Sequence, residues 1–139
     1  MTRRLVLLLL AVVPFGAYAD GNLRVVVSGI DPSKGNILAV MVYDSERAYK
    51  SEESFIRESV PLDGDERTCE FVFTDVPEGP LMIIGLQDAN GNLEMDTGLF
   101  GIPKEGFFCS QNASVPNWNR CVFRFEGGNA VIRLDMIYW

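Results

Sequence analysis

Residues 36–44, Asn-Ile-Leu-Ala-Val-Met-Val-Tyr-Asp, decide the fold. Apolar side chains occupy both phases of the alternation, and Ile37, Val40 and Val42 are β-branched, so the run predicts a strand buried on both faces in the middle of a sheet. Leu81 to Gln87, Leu-Met-Ile-Ile-Gly-Leu-Gln, is its counterpart, again apolar on both faces. Half-buried strands flank this pair. Leu23, Val25 and Val27 alternate with Arg24, Val26 and Ser28, and Cys69, Phe71 and Phe73 head a run that ends at Thr74. Cys121 to Phe125 alternates, and Ala130 to Tyr138 places Ile132, Leu134 and Met136 on one face. Glu58, Val60 and Leu62 make an edge strand before the Asp63-Gly64-Asp65 turn. Ser45 to Arg57 carries no sustained apolar stripe and reads as a crossing loop with a short helix. Seven short strands with tight turns and little helix predict an all-β chain: a seven-stranded, immunoglobulin-like sandwich with Greek-key connections and a long loop, Asp88 to Arg120, between the late strands.

The N-terminus has another grammar. Arg3-Arg4 precede the apolar run Leu5 to Val13, and Ala17-Tyr18-Ala19 closes it with small residues at the two outer positions. This is the three-part form of a secretory signal peptide, residues 1–19, with cleavage expected before Asp20. The run is about half the roughly 20 residues that span a bilayer, so no integral membrane segment is expected. Residues 20–139 then form a single β-sandwich domain, exported to the periplasm or beyond the cell. The formal charge of −7 becomes −9 once Arg3 and Arg4 are gone. Such a surface repels phosphate backbones and excludes nucleic acid as a partner.

All three cysteines lie in the exported part, where an oxidising compartment lets one pair close. Cys109 and Cys121 are the expected disulfide, because the intervening segment is rich in Ser, Asn and Pro and otherwise lacks a tether. Cys69 begins an apolar alternation and is expected as a buried, inert thiol.

Asp88-Ala89-Asn90-Gly91-Asn92 sets oxygen-bearing side chains at alternate positions. Counting Asp88 as the first, Asn90, Asn92, Glu94 and Asp96 fall at positions three, five, seven and nine of an EF-hand-type loop, so the segment is a candidate Ca2+ site. The loop is not a complete EF-hand: position six is Leu93 where the sharp turn needs Gly, and position twelve is Leu99 where a bidentate acid belongs. Further oxygens must come from Glu105, Asp75 or water.

No His occurs anywhere in the chain. That removes the commonest zinc ligand, the usual general base at neutral pH and every His-based triad, and a non-enzymatic role is expected. Phe107, Phe108 and Trp118 stand in polar, turn-rich sequence. Two readings of them stay open: lids packed on the sandwich, or a face that binds a small apolar ligand or a cell-envelope protein.

Several landmarks together resemble a bacterial family of exported proteins whose domain has no assigned function. They are the signal peptide, Leu23-Arg24-Val25-Val26-Val27-Ser28-Gly29-Ile30, Lys34-Gly35-Asn36-Ile37, Asp75-Val76-Pro77-Glu78-Gly79 and the acidic loop. The most specific is Gly101-Ile102-Pro103-Lys104-Glu105-Gly106-Phe107, similar to the family's Gly-Ile-Pro-x-Glu-Gly segment. The resemblance implies an exported domain similar to transthyretin-like or other prealbumin-type sandwiches, with no established catalytic activity. This chain departs from the family pattern at Gln87, where His is usual, and at Leu93, where Gly is usual.

Overall fold

The computed structural model describes residues 20–88 and 105–138. Eight strands and two short helices occur among them, in the order β1 Asp20–Ser28, β2 Ile37–Tyr43, α1 Glu46–Lys50, β3 Ile56–Pro61, β4 Thr68–Pro77, β5 Gly79–Asp88, β6 Phe107–Cys109, α2 Trp118–Cys121, β7 Phe123–Phe125 and β8 Gly128–Asp135. They form two sheets. The first has the order β4-β1-β8; the second has the order β3-β2-β5-β6, with β7 paired to β5. Because β2 takes one edge of β5, the other edge is shared lengthwise, β7 along Gly79 to Leu81 and β6 along Ile84 to Leu86.

The eighth strand, β6, lies inside the stretch expected as loop. Three residues are too short for an alternation to show, and Phe107, Phe108 and Cys109 are buried on both faces, so no polar phase marks them. The other expected strands are present with shifted ends: β7 begins at Phe123 because Cys121 closes α2, and β3 takes Ile56 and Arg57 from the expected crossing loop. Ser45 starts α1 by accepting a hydrogen bond from the Ala48 amide on its hydroxyl, as an N-cap should. β4 runs past Thr74 to Pro77 by means of a bulge: Leu23 pairs with Phe73 and Gly21 with Val76, and Asp75 takes the left-handed conformation at φ 58°.

One core fills the space between the sheets. Leu23, Val25 and Val27 of β1 and Phe71 and Phe73 of β4 meet Leu38, Val40 and Val42 of β2, Leu81 and Ile83 of β5, and Phe108. Full burial of each such side chain contributes about 1.5–3 kcal/mol. The opposite phase of β2 and β5 builds a second core on the outer face of the five-stranded sheet, from Ala39, Met41, Tyr43, Met82, Ile84 and Leu86. Ala48 and Tyr49 of α1, Ala113, Trp118 of α2 and Ile137 cover it. Two-sided burial is therefore the physical content of the apolar runs at residues 37–43 and 81–88.

Candidate functional site

Both ends of the acidic loop are fixed by β5 and the chain before β6. The Gln87 amide donates to the Gly106 carbonyl at 2.8 Å, continuing the β5–β6 ladder beyond its last paired residues, Leu86 and Phe107. Carried one step further, the same register sets Asp88 opposite Glu105. Both carboxylates are buried, Asp88 completely. A Cβ on Gly35 would stand 2.8 Å from the Asp88 carbonyl oxygen, so a bare glycine backbone lets the β1–β2 turn close over this end of β5. The loop thus leaves and re-enters the sandwich at one point. Asn90, Asn92, Glu94 and Asp96 lie outside the described residues. Among the described residues no three His, Cys, Asp or Glu side chains are grouped to hold a metal.

Asp75 does not share this end. It sits in the bulge of β4, beside the start of β5, and the ten-residue strand from Gly79 to Asp88 sets roughly 30 Å between the two ends. The sequence could not separate them, because the separation is created by the length of β5.

A polar network adjoins Asp88. Gln87 is fully buried, and its side-chain amide donates to the Asp31 carbonyl at 2.8 Å and to the Gly35 carbonyl at 3.0 Å. Its Oε1 accepts from the Tyr138 hydroxyl, whose oxygen in turn accepts from the Asp31 amide at 2.8 Å. Every polar atom of the Gln87 side chain is thereby engaged, which is the condition for burying it. The Lys34 ammonium lies 5.9 Å from the centre of the Tyr138 ring. Burial pushes the Tyr138 phenol above its ordinary value of 10.0. Sequence reading missed this network: its only trace was a Gln at the end of an apolar run, with its partners 56 and 51 residues away.

The aromatic candidates separate. Phe107 and Phe108 are both fully buried, Phe108 between the sheets and Phe107 in the outer core. The face proposed for them as a surface that binds a ligand or an envelope protein is corrected on this point: side chains on β6 point into the two cores and offer no surface. Trp118, half-buried on α2, packs over the outer core.

Cys109 and Cys121 meet in that outer core. They are free thiols with their sulfurs 3.2 Å apart, and neither is exposed. The Cys121 thiol donates to Cys109, and the Cys109 thiol donates to the Ala113 carbonyl at 3.3 Å. The hydrogen bond between them splits their acidities. Cys109 is pushed far above the ordinary thiol range and Cys121 is drawn below it, in each case first by the hydrogen bond between them. Ser110 pins the segment from beneath: its hydroxyl donates to the Cys121 carbonyl and accepts from the Ile83 amide at 3.1 Å. Asn117 caps α2 by accepting from the Arg120 amide, and Tyr49 donates to the Pro116 carbonyl at 3.3 Å. Cys69 belongs to the other core, between the sheets.

Asn112 closes an open sheet edge. At φ 49° it turns its side chain along β8, where Nδ2 donates to the Arg133 carbonyl at 3.4 Å and Oδ1 accepts from the Asp135 amide at 2.9 Å. One amide side chain here replaces a length of neighbouring strand.

No helix among the described residues is long and apolar enough to cross a membrane. The expected signal peptide, residues 1–19, lies outside the described residues. A family model described as an uncharacterized protein conserved in bacteria (DUF2141) matches residues 25–133. No curated protein and no solved structure matches the chain.

Proposed function

The chain belongs to this uncharacterised family conserved in bacteria, and from that premise we propose that it is an exported, non-enzymatic β-sandwich domain whose Asp88–Asp96 loop binds calcium. The observation that supports the reading is the burial of Asp88 and Glu105, which flank the loop on either side in the chain. A chain bearing Asn90, Asn92, Glu94 and Asp96 between two such carboxylates supplies hard oxygen donors from both directions, which suits a cation that accepts six to eight of them. Glu105 then takes the part of the acid that Leu99 fails to provide. The net charge of −7 favours a cation over any anionic partner. The two stacked sheets support the prealbumin-type resemblance as part of the same proposal.

Calorimetric titration of the folded protein with Ca2+ tests the reading. Saturable binding with a Kd tighter than about 1 mM, weakened at least tenfold by Asp96→Ala or Glu105→Gln, is the expected result. A flat titration of the folded wild-type protein removes calcium from the account. Thermal unfolding provides a second readout, since a ligand bound only by the folded state raises Tm with its concentration.

A further inference from the structure

Two sulfurs sit 3.2 Å apart in a compartment sealed from solvent, 12 residues from each other along the chain. A disulfide is about 2.05 Å long, so ~1.2 Å of approach closes the gap, within the reach of small χ1 adjustments on two side chains. The geometry points to Cys109 and Cys121 as a disulfide site that is oxidised while segment 110–121 stands off β6 and is then shut away from redox reagents when α2 packs down.

The order of events follows from access. Thiol–disulfide exchange needs an oxidant sulfur in line with the attacking thiolate, and neither cysteine presents any surface in the packed chain. The outer core that holds them is covered in part by Tyr49, Ala113 and Trp118, and the segment is held by the Tyr49–Pro116 and Ser110–Cys121 hydrogen bonds. With that cover lifted, one cysteine thiolate attacks a sulfur of a disulfide oxidant, forming a mixed disulfide and releasing one oxidant thiolate. The second cysteine loses its proton and attacks the mixed disulfide, forming the Cys109–Cys121 bond and expelling the second oxidant thiolate. Two cysteine thiols are oxidised, one oxidant disulfide is reduced to two thiols, and the protons pass to the departing thiolates. Cys69 takes no part, because the five-stranded sheet stands between its core and theirs.

Refolding the reduced, denatured protein in oxidised glutathione, followed by alkylation, proteolysis and mass spectrometry, reads the pairing. The expected product joins the Cys109 and Cys121 peptides, with Cys69 alkylated, and Cys69→Ala leaves that product unchanged. Bonds to Cys69, or three alkylated cysteines, overturn the assignment. Protein first folded with reductant and then given the same oxidant without denaturant reads the sealing. Oxidation at least ~100-fold slower than during refolding is expected, the factor set by the rarity of local opening, and Trp118→Ala recovers part of the rate. Equal rates in the folded and refolding protein overturn it.

Discussion

The ring of Phe108 occupies the space in which Gly85, its register partner across β5 and β6, would carry a side chain. A Cβ at Gly85 would collide with that ring and would also stand 2.5 Å from the Ala39 carbonyl oxygen. The glycine inside an apolar strand is therefore a seat for an aromatic ring. Gly85→Ala is expected to lower stability by about 3 kcal/mol in urea unfolding. Because one collision involves the Phe108 ring, the Gly85→Ala/Phe108→Ala double variant should lose less than the sum of the single changes.

Gln87 and Tyr138 join the end of β5 to the C-terminal segment. Tyr138→Phe removes one hydroxyl from the network and is expected to cost roughly 1–2 kcal/mol, whereas Gln87→Leu strands the Tyr138 hydroxyl and the Asp31 and Gly35 carbonyls together and should cost about 3 kcal/mol. Equal and negligible losses in both variants, measured by urea midpoints at constant m-value, would count against a shared network.

Alkaline pH should unfold the protein through its tyrosines. Tyr43, Tyr49 and Tyr138 all have phenol pKa values raised above 10.0, in each case first by burial. A raised folded-state pKa means that the folded chain holds its proton more tightly than the unfolded one. Its contribution to stability is fully present below pH 10 and is lost as the pH rises through the folded value. Denaturation midpoints measured from pH 8 to pH 11 should fall at the alkaline end, and less steeply in a variant with the three tyrosines changed to Phe.

Reductant is expected to destabilise protein refolded under oxidising conditions by roughly 3 kcal/mol, the loop-closure contribution of a short bridged segment. The Cys109→Ser/Cys121→Ser variant should show the same unfolding curve with and without reductant. An identical response of the wild-type protein to both conditions would argue that no bond had formed.

The sequence made the centre of the sandwich legible and left its periphery obscure, for physical reasons. The runs at residues 36–44 and 81–87 announce two-sided burial because apolar side chains in both phases have no other use in a small domain. The expected Cys109–Cys121 disulfide rested on the segment lacking another tether, yet Ser110 and the Tyr49–Pro116 hydrogen bond hold that segment, and the two sulfurs lie 3.2 Å apart as free thiols. Strand β6 stayed hidden because three residues carry no period. For the same reason the polar neighbours of Phe107 and Phe108 left two readings open, packed lids or a binding face, and both side chains are buried in the cores. Gln87 gave no sign of its function, since an amide acquires meaning only from carbonyls that the fold delivers from distant positions.

The first strand lies alongside the last, and in parallel: Leu23 is matched with Ala130 and Ser28 with Asp135. With β4 on its other flank, β1 waits for almost the whole polypeptide before its sheet is complete. A chain emerging N-terminus first cannot lock this architecture early, however quickly its middle strands find one another. The three-stranded sheet closes only once residues 128–135 are free to pair with β1.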